Sequence, residues 1–118
     1  MTGPLKVEIV VGTQVVECRD GDIIGREGVV APHLFRGATA LQPRHLLVGR
    51  DFNGWFVMMP RNVQVPTHLD DIALTPGVRS YLRGEHRLTI ADFAISLRLA
   101  AASNESFVTR LMKMLKLG

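Results

Sequence analysis

Phe93-Ala94-Ile95-Ser96-Leu97-Arg98-Leu99 alternates large apolar residues with small or polar ones. A β-strand turns successive side chains to opposite faces, so this run buries one face of a sheet and wets the other. Shorter runs repeat the pattern. Val7, Ile9 and Val11 alternate with Glu8 and Val10, Gly12-Thr13 turns the chain, and Val15–Cys18 returns. Asp20-Gly21 leads into Ile23-Ile24, and Asp51-Phe52-Asn53-Gly54 joins Leu46-Leu47-Val48 to Trp55-Phe56-Val57-Met58. Val63 with Val65, Tyr81 with its neighbours, and Leu88 with Ile90 continue the alternation. Many short strands separated by tight-turn dipeptides predict an antiparallel sandwich or barrel. Trp55, Phe93, Ile95 and Leu97 are the expected core, with Ile95 and Leu97 on the same inner face.

The ending has another period. Phe107, Leu111, Met114 and Leu115 recur at helical spacing, Ser103 or Asn104 can cap the start, and Lys113 and Lys116 suit the last turn. The expected organisation is a β domain over 1–102 and an amphipathic helix or tail over 103–118. That helix packs back on the sandwich, or serves a partner or self-association.

With 118 residues, 47% of them hydrophobic, the chain can bury one compact core. It has no apolar run of about 18 residues and no secretory leader pattern, so neither membrane nor export is expected. Cys18 has no second cysteine to pair with and lies in a strand pattern. A structural thiol in a reducing cytoplasm is the expectation. The net charge of +3 comes from basic residues that are scattered except at Arg110, Lys113 and Lys116. No basic stripe interleaves with aromatics, which argues against nucleic acid. His33, His45, His68 and His86 lack metal-ligand spacing, and Asp70-Asp71 reads as a solvated loop. No Ser or Cys sits in a nucleophile motif, and Gly25-Arg26-Glu27-Gly28 is a turn rather than a nucleotide loop. Neither an enzyme nor a cofactor or metal is expected.

Five elements in order and spacing resemble the forkhead-associated (FHA) domain from about Val7 to Leu99. They are Asp22-Ile23-Ile24-Gly25-Arg26, Leu41-Gln42-Pro43-Arg44-His45-Leu46-Leu47-Val48, Asn53-Gly54-Trp55-Phe56-Val57, Arg61-Asn62-Val63-Gln64-Val65, and the closing stretch from Leu82 to Phe93. The resemblance implies an all-β, FHA-like antiparallel β-sandwich that reads phosphothreonine peptides through loops. It implies that Arg26 contacts phosphate, that position 42 donates to it, and that Asn62 fixes the peptide backbone. Gly25 and His45 would support the loops.

This chain departs from the family pattern. Gln42 stands where the family has a Ser, Pro43 removes a neighbouring N–H, and Val63 replaces the Gly after the Asn. Arg44 adds a cation. A phosphate brings nearly two charges and three acceptor oxygens, so retained Arg26, Arg44 and amides suit it, while the altered loops weaken it. Two outcomes stay open: an FHA-type interaction module, scaffold or adaptor with weakened phosphothreonine binding, and a functional reader using Arg26, Gln42, Arg44 and Asn62. Arg26 as an ordinary turn-capping arginine is the plain alternative. Either way the expected partner is a protein or phosphopeptide.

Overall fold

The computed structural model describes residues 5–28, 32–35, 37 and 39–101. The helix expected at 103–118 lies outside the described residues. Ten strands are β1 (Leu5–Val11), β2 (Gln14–Cys18), β3 (Ile23–Ile24), β4 (Leu46–Asp51), β5 (Gly54–Met58), β6 (Thr67–Leu69), β7 (Ile72–Ala73), β8 (Arg79–Tyr81), β9 (Glu85–Ile90) and β10 (Phe93–Ala101). A short 3-10 helix spans Pro32–Phe35. The strands form two antiparallel sheets, ordered β2-β1-β10-β9-β6-β7 and β3-β4-β5-β8.

The alternation read in the sequence becomes the core. Ile9 lies opposite Leu97 and Ile95 opposite Leu88, so the inner rows of β1, β10 and β9 meet. Ile24, Leu46, Val48, Trp55 and Val57 face them from the smaller sheet. Each such side chain contributes roughly 1.5–3 kcal/mol by leaving water. Trp55 is buried while its Nε1–H donates to the Leu5 carbonyl at 3.0 Å, satisfying the indole. Phe93, at the start of its strand, is only partly buried, unlike the burial expected of it. There its ring packs tilted on Phe35, centroids 6.3 Å apart.

One local expectation differs from the fold. Val63-Gln64-Val65 is not a strand. It lies between Pro60 and Pro66, which cannot donate to a ladder, and the Val63 N–H closes a turn onto the Pro60 carbonyl at 3.1 Å. Asp70-Asp71 is a tight hairpin turn joining β6 and β7, both residues in left-handed backbone at φ 52° and 67°. Short polar side chains tolerate that conformation, as Asp-Gly and Asn-Gly turns do.

Residues 21–22, just before β3, are bonded to β4. Gly21 N–H donates to Val48 O at 2.8 Å and Val48 N–H donates to Asp22 O at 2.9 Å. At the other edges, β7 ends the larger sheet and β8 the smaller one, with no further strand beyond them among the described residues.

Candidate functional site

Strand direction decides which loops share an end. Ile24 pairs with Leu46, and β4 runs away from that pair to a hairpin at Asp51–Gly54, where β5 turns back. The loops after Ile24, before Leu46 and after Met58 therefore lie at one end. Arg26, Gln42, Arg44 and Asn62 are all carried on these loops.

Glycines set how closely the first two loops approach. A Cβ on Gly25 would lie 2.2 Å from the Pro43 carbonyl oxygen, and one on Gly28 2.1 Å from that of Ile23. Both distances are impossible for a real side chain, so the lack of one lets Gly25 nest against the 42–43 backbone and Gly28 close back on Ile23. The turn is closed by Gly28 N–H on Gly25 O at 3.1 Å. Two ladder-like bonds fasten it: Arg26 N–H to Gln42 O at 3.2 Å and Glu27 N–H to Pro43 O at 3.0 Å.

His45 locks the same loop from below. It is wholly buried, and its Nδ1 accepts the Gln42 main-chain N–H at 3.1 Å. A main-chain N–H only donates, so Nδ1 carries no proton and Nε2 must. Nε2–H then donates to Thr67 Oγ1 at 2.8 Å, and the Thr67 hydroxyl passes its own proton to the Val65 carbonyl at 2.9 Å. This relay ties the 42–45 loop to the 60–66 loop and requires a neutral ring, in keeping with burial that pushes the His45 pKa below its ordinary 6.5. Thr67 is a structural partner that sequence reasoning missed; nothing in its neighbourhood distinguishes it from any other strand threonine.

The consequence for ligands is specific. The Gln42 N–H is taken by His45, Pro43 has none, and both carbonyls are taken by residues 26 and 27. The main chain at 42–43 thus offers no donor at the position the family resemblance makes a phosphate donor. Side chains remain. Arg26 and Arg44 are exposed, and neither makes an ion pair among the described residues. The Arg26 guanidinium Nη2 donates to the Thr39 carbonyl, which folds it against its own loop. Gln42 is half-buried and Asn62 exposed. Val63 is buried in the core and does not adopt a left-handed backbone, so the loop needs no glycine there. Exposed Arg61 lies against Gly77 on the same rim.

Solved structures similar to this architecture are FHA domains. One, analysed for phosphothreonine-dependent interactions, superposes with a TM-score of 0.62 at 20% identity, covering 82% of this chain and 99% of that one. The chain has the FHA fold. The FhaA FHA domain complexed with the intracellular domain of Rv3910 gives a TM-score of 0.57 at 16% identity, over 82% of this chain and 100% of that one. The FHA domain of an Arabidopsis thaliana hypothetical protein gives 0.60 at 17% identity, over 86% and 89%. No family model matches the sequence, and no curated protein does. At these identities the likeness is one of fold.

Elsewhere on this FHA sandwich, two groups invite a chemical reading. His86 Nδ1 and Asp70 Oδ2 are 2.5 Å apart, an acid–imidazole pair, but His86 Nε2 accepts the Arg83 N–H at 2.8 Å. Both ring nitrogens are occupied, so the pair braces the β6–β7 turn and has no free base to act on a substrate. Cys18 is buried, and burial, with Asp22 and Glu17 nearby, pushes its thiol up to about 12. It is therefore a packed apolar group rather than a nucleophile. No group of three or more metal-ligating side chains converges among the described residues, and none of their helices is long and apolar enough to cross a membrane.

Proposed function

We propose that this chain is a non-enzymatic protein-interaction module of the FHA type, a scaffold or regulatory adaptor, with weakened phosphothreonine-peptide binding. Its loop end takes an anionic residue of a partner through side chains alone: the guanidinium groups of Arg26 and Arg44, with the amides of Gln42 and Asn62. The observation that carries this is the bond from Gln42 N–H to His45 Nδ1. With that donor spent and Pro43 lacking one, a phosphate at the loop end loses main-chain hydrogen bonds worth about 1.5–3 kcal/mol each to a charged group. Two exposed arginines without an ion pair among the described residues still favour an anion over a neutral ligand. The phosphothreonine-dependent interactions of a similar FHA domain support the ligand class, and the partner-bound FhaA domain supports a protein partner.

Calorimetry with a degenerate phosphothreonine peptide library against its unphosphorylated counterpart tests the proposal. Weak, phosphate-favouring binding that Arg26→Ala removes is the expected result. Tight binding by the unaltered chain supports the second reading, a fully functional reader, for which exposed Arg44, without an ion pair among the described residues, is the favouring feature.

A further inference from the structure

The open side of the sandwich carries a groove that begins where the loop end stops. Two hollows, of about 320 and 240 Å³, share Ala73 and Leu74 as a common wall. The first reaches up to Val63 and Val65 in the loop that bears Asn62; the second runs down between β7 and β8 to Tyr81. The first is walled by the 63–66 loop, β6 and the Ala73–Pro76 stretch, and only the second by β8, so together they run along β7 from the loop end into the β7–β8 seam.

Three features of the seam bear on what fits it. Its walls are largely apolar, and Ile72 and Val78 remain exposed beside it at 72% and 53%. Both β7 and β8 are sheet edges among the described residues, the position at which a guest strand can add to a ladder. Its ends differ in charge. Exposed Arg61 lies over Gly77 next to Pro76 at the upper end, while exposed Asp71 at the lower end makes no ion pair among the described residues. Asp70 beside it is already held by His86 and the Arg87 N–H.

We infer that the β7–β8 seam holds an extended segment of the same partner peptide whose anionic residue the loop end takes, with aliphatic side chains in the two hollows and a basic residue toward Asp71. This rests on the function proposed above. Strand β6, which runs the length of the groove, covers roughly 10 Å at about 3.3 Å per residue, so about three extended residues separate the upper end from the acidic end. Alternate side chains of such a segment point the same way, which matches two adjacent hollows. The groove thus adds specificity that the depleted loop end lacks.

The test screens a phosphothreonine peptide library, degenerate on both flanks, against the unaltered chain, Ala73→Arg and Arg26→Ala. Ala73 is exposed, so arginine fills the shared wall without entering the core; an unchanged thermal midpoint checks this. The unaltered chain should enrich aliphatic residues on one flank with Lys or Arg beyond them, and the selected peptide should shift the amide resonances of Ile72–Leu74 and Arg79–Tyr81. Ala73→Arg should erase that preference and weaken the selected peptide about tenfold, while a minimal Ala-phosphothreonine-Ala peptide binds as before. Arg26→Ala should weaken both peptides. If enrichment ignores the flanks and Ala73→Arg changes nothing while Arg26→Ala still removes binding, the seam inference is overturned and the loop-end function stands. Seam-dependent binding that ignores both the phosphate and Arg26→Ala supports the seam as a docking groove and overturns the loop-end function. If no library peptide binds, both fall.

Discussion

The carbonyl oxygen of Pro43 stands 2.2 Å from where a Cβ on Gly25 would be. Only a glycine permits this approach, and the Arg26 N–H to Gln42 O and Glu27 N–H to Pro43 O bonds then hold the Gly-Arg turn and the 42–45 loop as one unit. Gly25→Ala must push the 41–45 loop outward or unseat β3. Overpacking of this kind costs about 1–3 kcal/mol. A lowered denaturant midpoint with an unchanged slope is expected, along with large amide shifts at Gln42–His45.

Thr67→Val keeps the shape of the side chain and removes the acceptor for His45 Nε2–H. A buried donor left without a partner costs about 1–3 kcal/mol. The loss should exceed that of Thr89→Val, an outward-facing control on β9, when both are measured by denaturant unfolding.

His45 gives the fold a defined pH dependence. Its native pKa is below 6.5, because the charged ring is disfavoured by burial and Nδ1 is committed to the Gln42 N–H. Above about pH 6.5 the ring is neutral in both native and unfolded chains, and its contribution is fully present. As pH falls below that value the unfolded chain takes up a proton that the native chain refuses, so stability decreases until the native pKa is reached. His45→Gln should be less stable at pH 7 by about 1–3 kcal/mol and show a shallower loss on acidification. Parallel acid slopes for the two proteins would contradict this origin.

Much of the fold was legible because burial and strand period act on the same residues. Ile9, Ile95 and Leu97 alternate in the chain and are buried together. The turns at Asp20-Gly21 and Asp51–Gly54 were readable from residues that tolerate tight backbone. Val63-Gln64-Val65 misled because alternation cannot reveal that flanking prolines deny it a ladder, and Val63 is buried as a loop anchor instead. The core role of Trp55 and the structural role of His45 were also readable. What the sequence could not disclose is where main-chain donors go: no pattern announces that His45 consumes the Gln42 N–H or that Thr39 receives Arg26. Those bonds depend on loop paths between distant strands.

Leu97→Ala tests the shared inner row directly. Leu97 is fully buried between Ile9 and His86 on its neighbouring strands. Its truncation should cost about 2–5 kcal/mol, depending on how far the site collapses. Arg98→Ala, one position along and facing outward to Glu8 at 2.9 Å, removes a half-buried surface pair and no core volume, and should cost about 1 kcal/mol. Comparable losses from the two would mean that β10 does not face the core as described.

The last expectation concerns the phosphate site itself. A serine at position 42 would bring a short hydroxyl in place of a longer amide, while its main-chain N–H stayed on His45. Only one donor is therefore gained, and not the two that a free loop backbone would provide. One charge-assisted hydrogen bond contributes about 1.5–3 kcal/mol, so Gln42→Ser should tighten phosphothreonine-peptide binding by at least about tenfold. Arg26→Ala added to Gln42→Ser should cancel the gain, since the hydroxyl acts on a phosphate that the guanidinium holds. Binding by unphosphorylated peptides should be the same in all three proteins. If Gln42→Ser instead weakens binding, the Gln42 amide is itself a ligand contact, and the chain reads phosphothreonine in its present form.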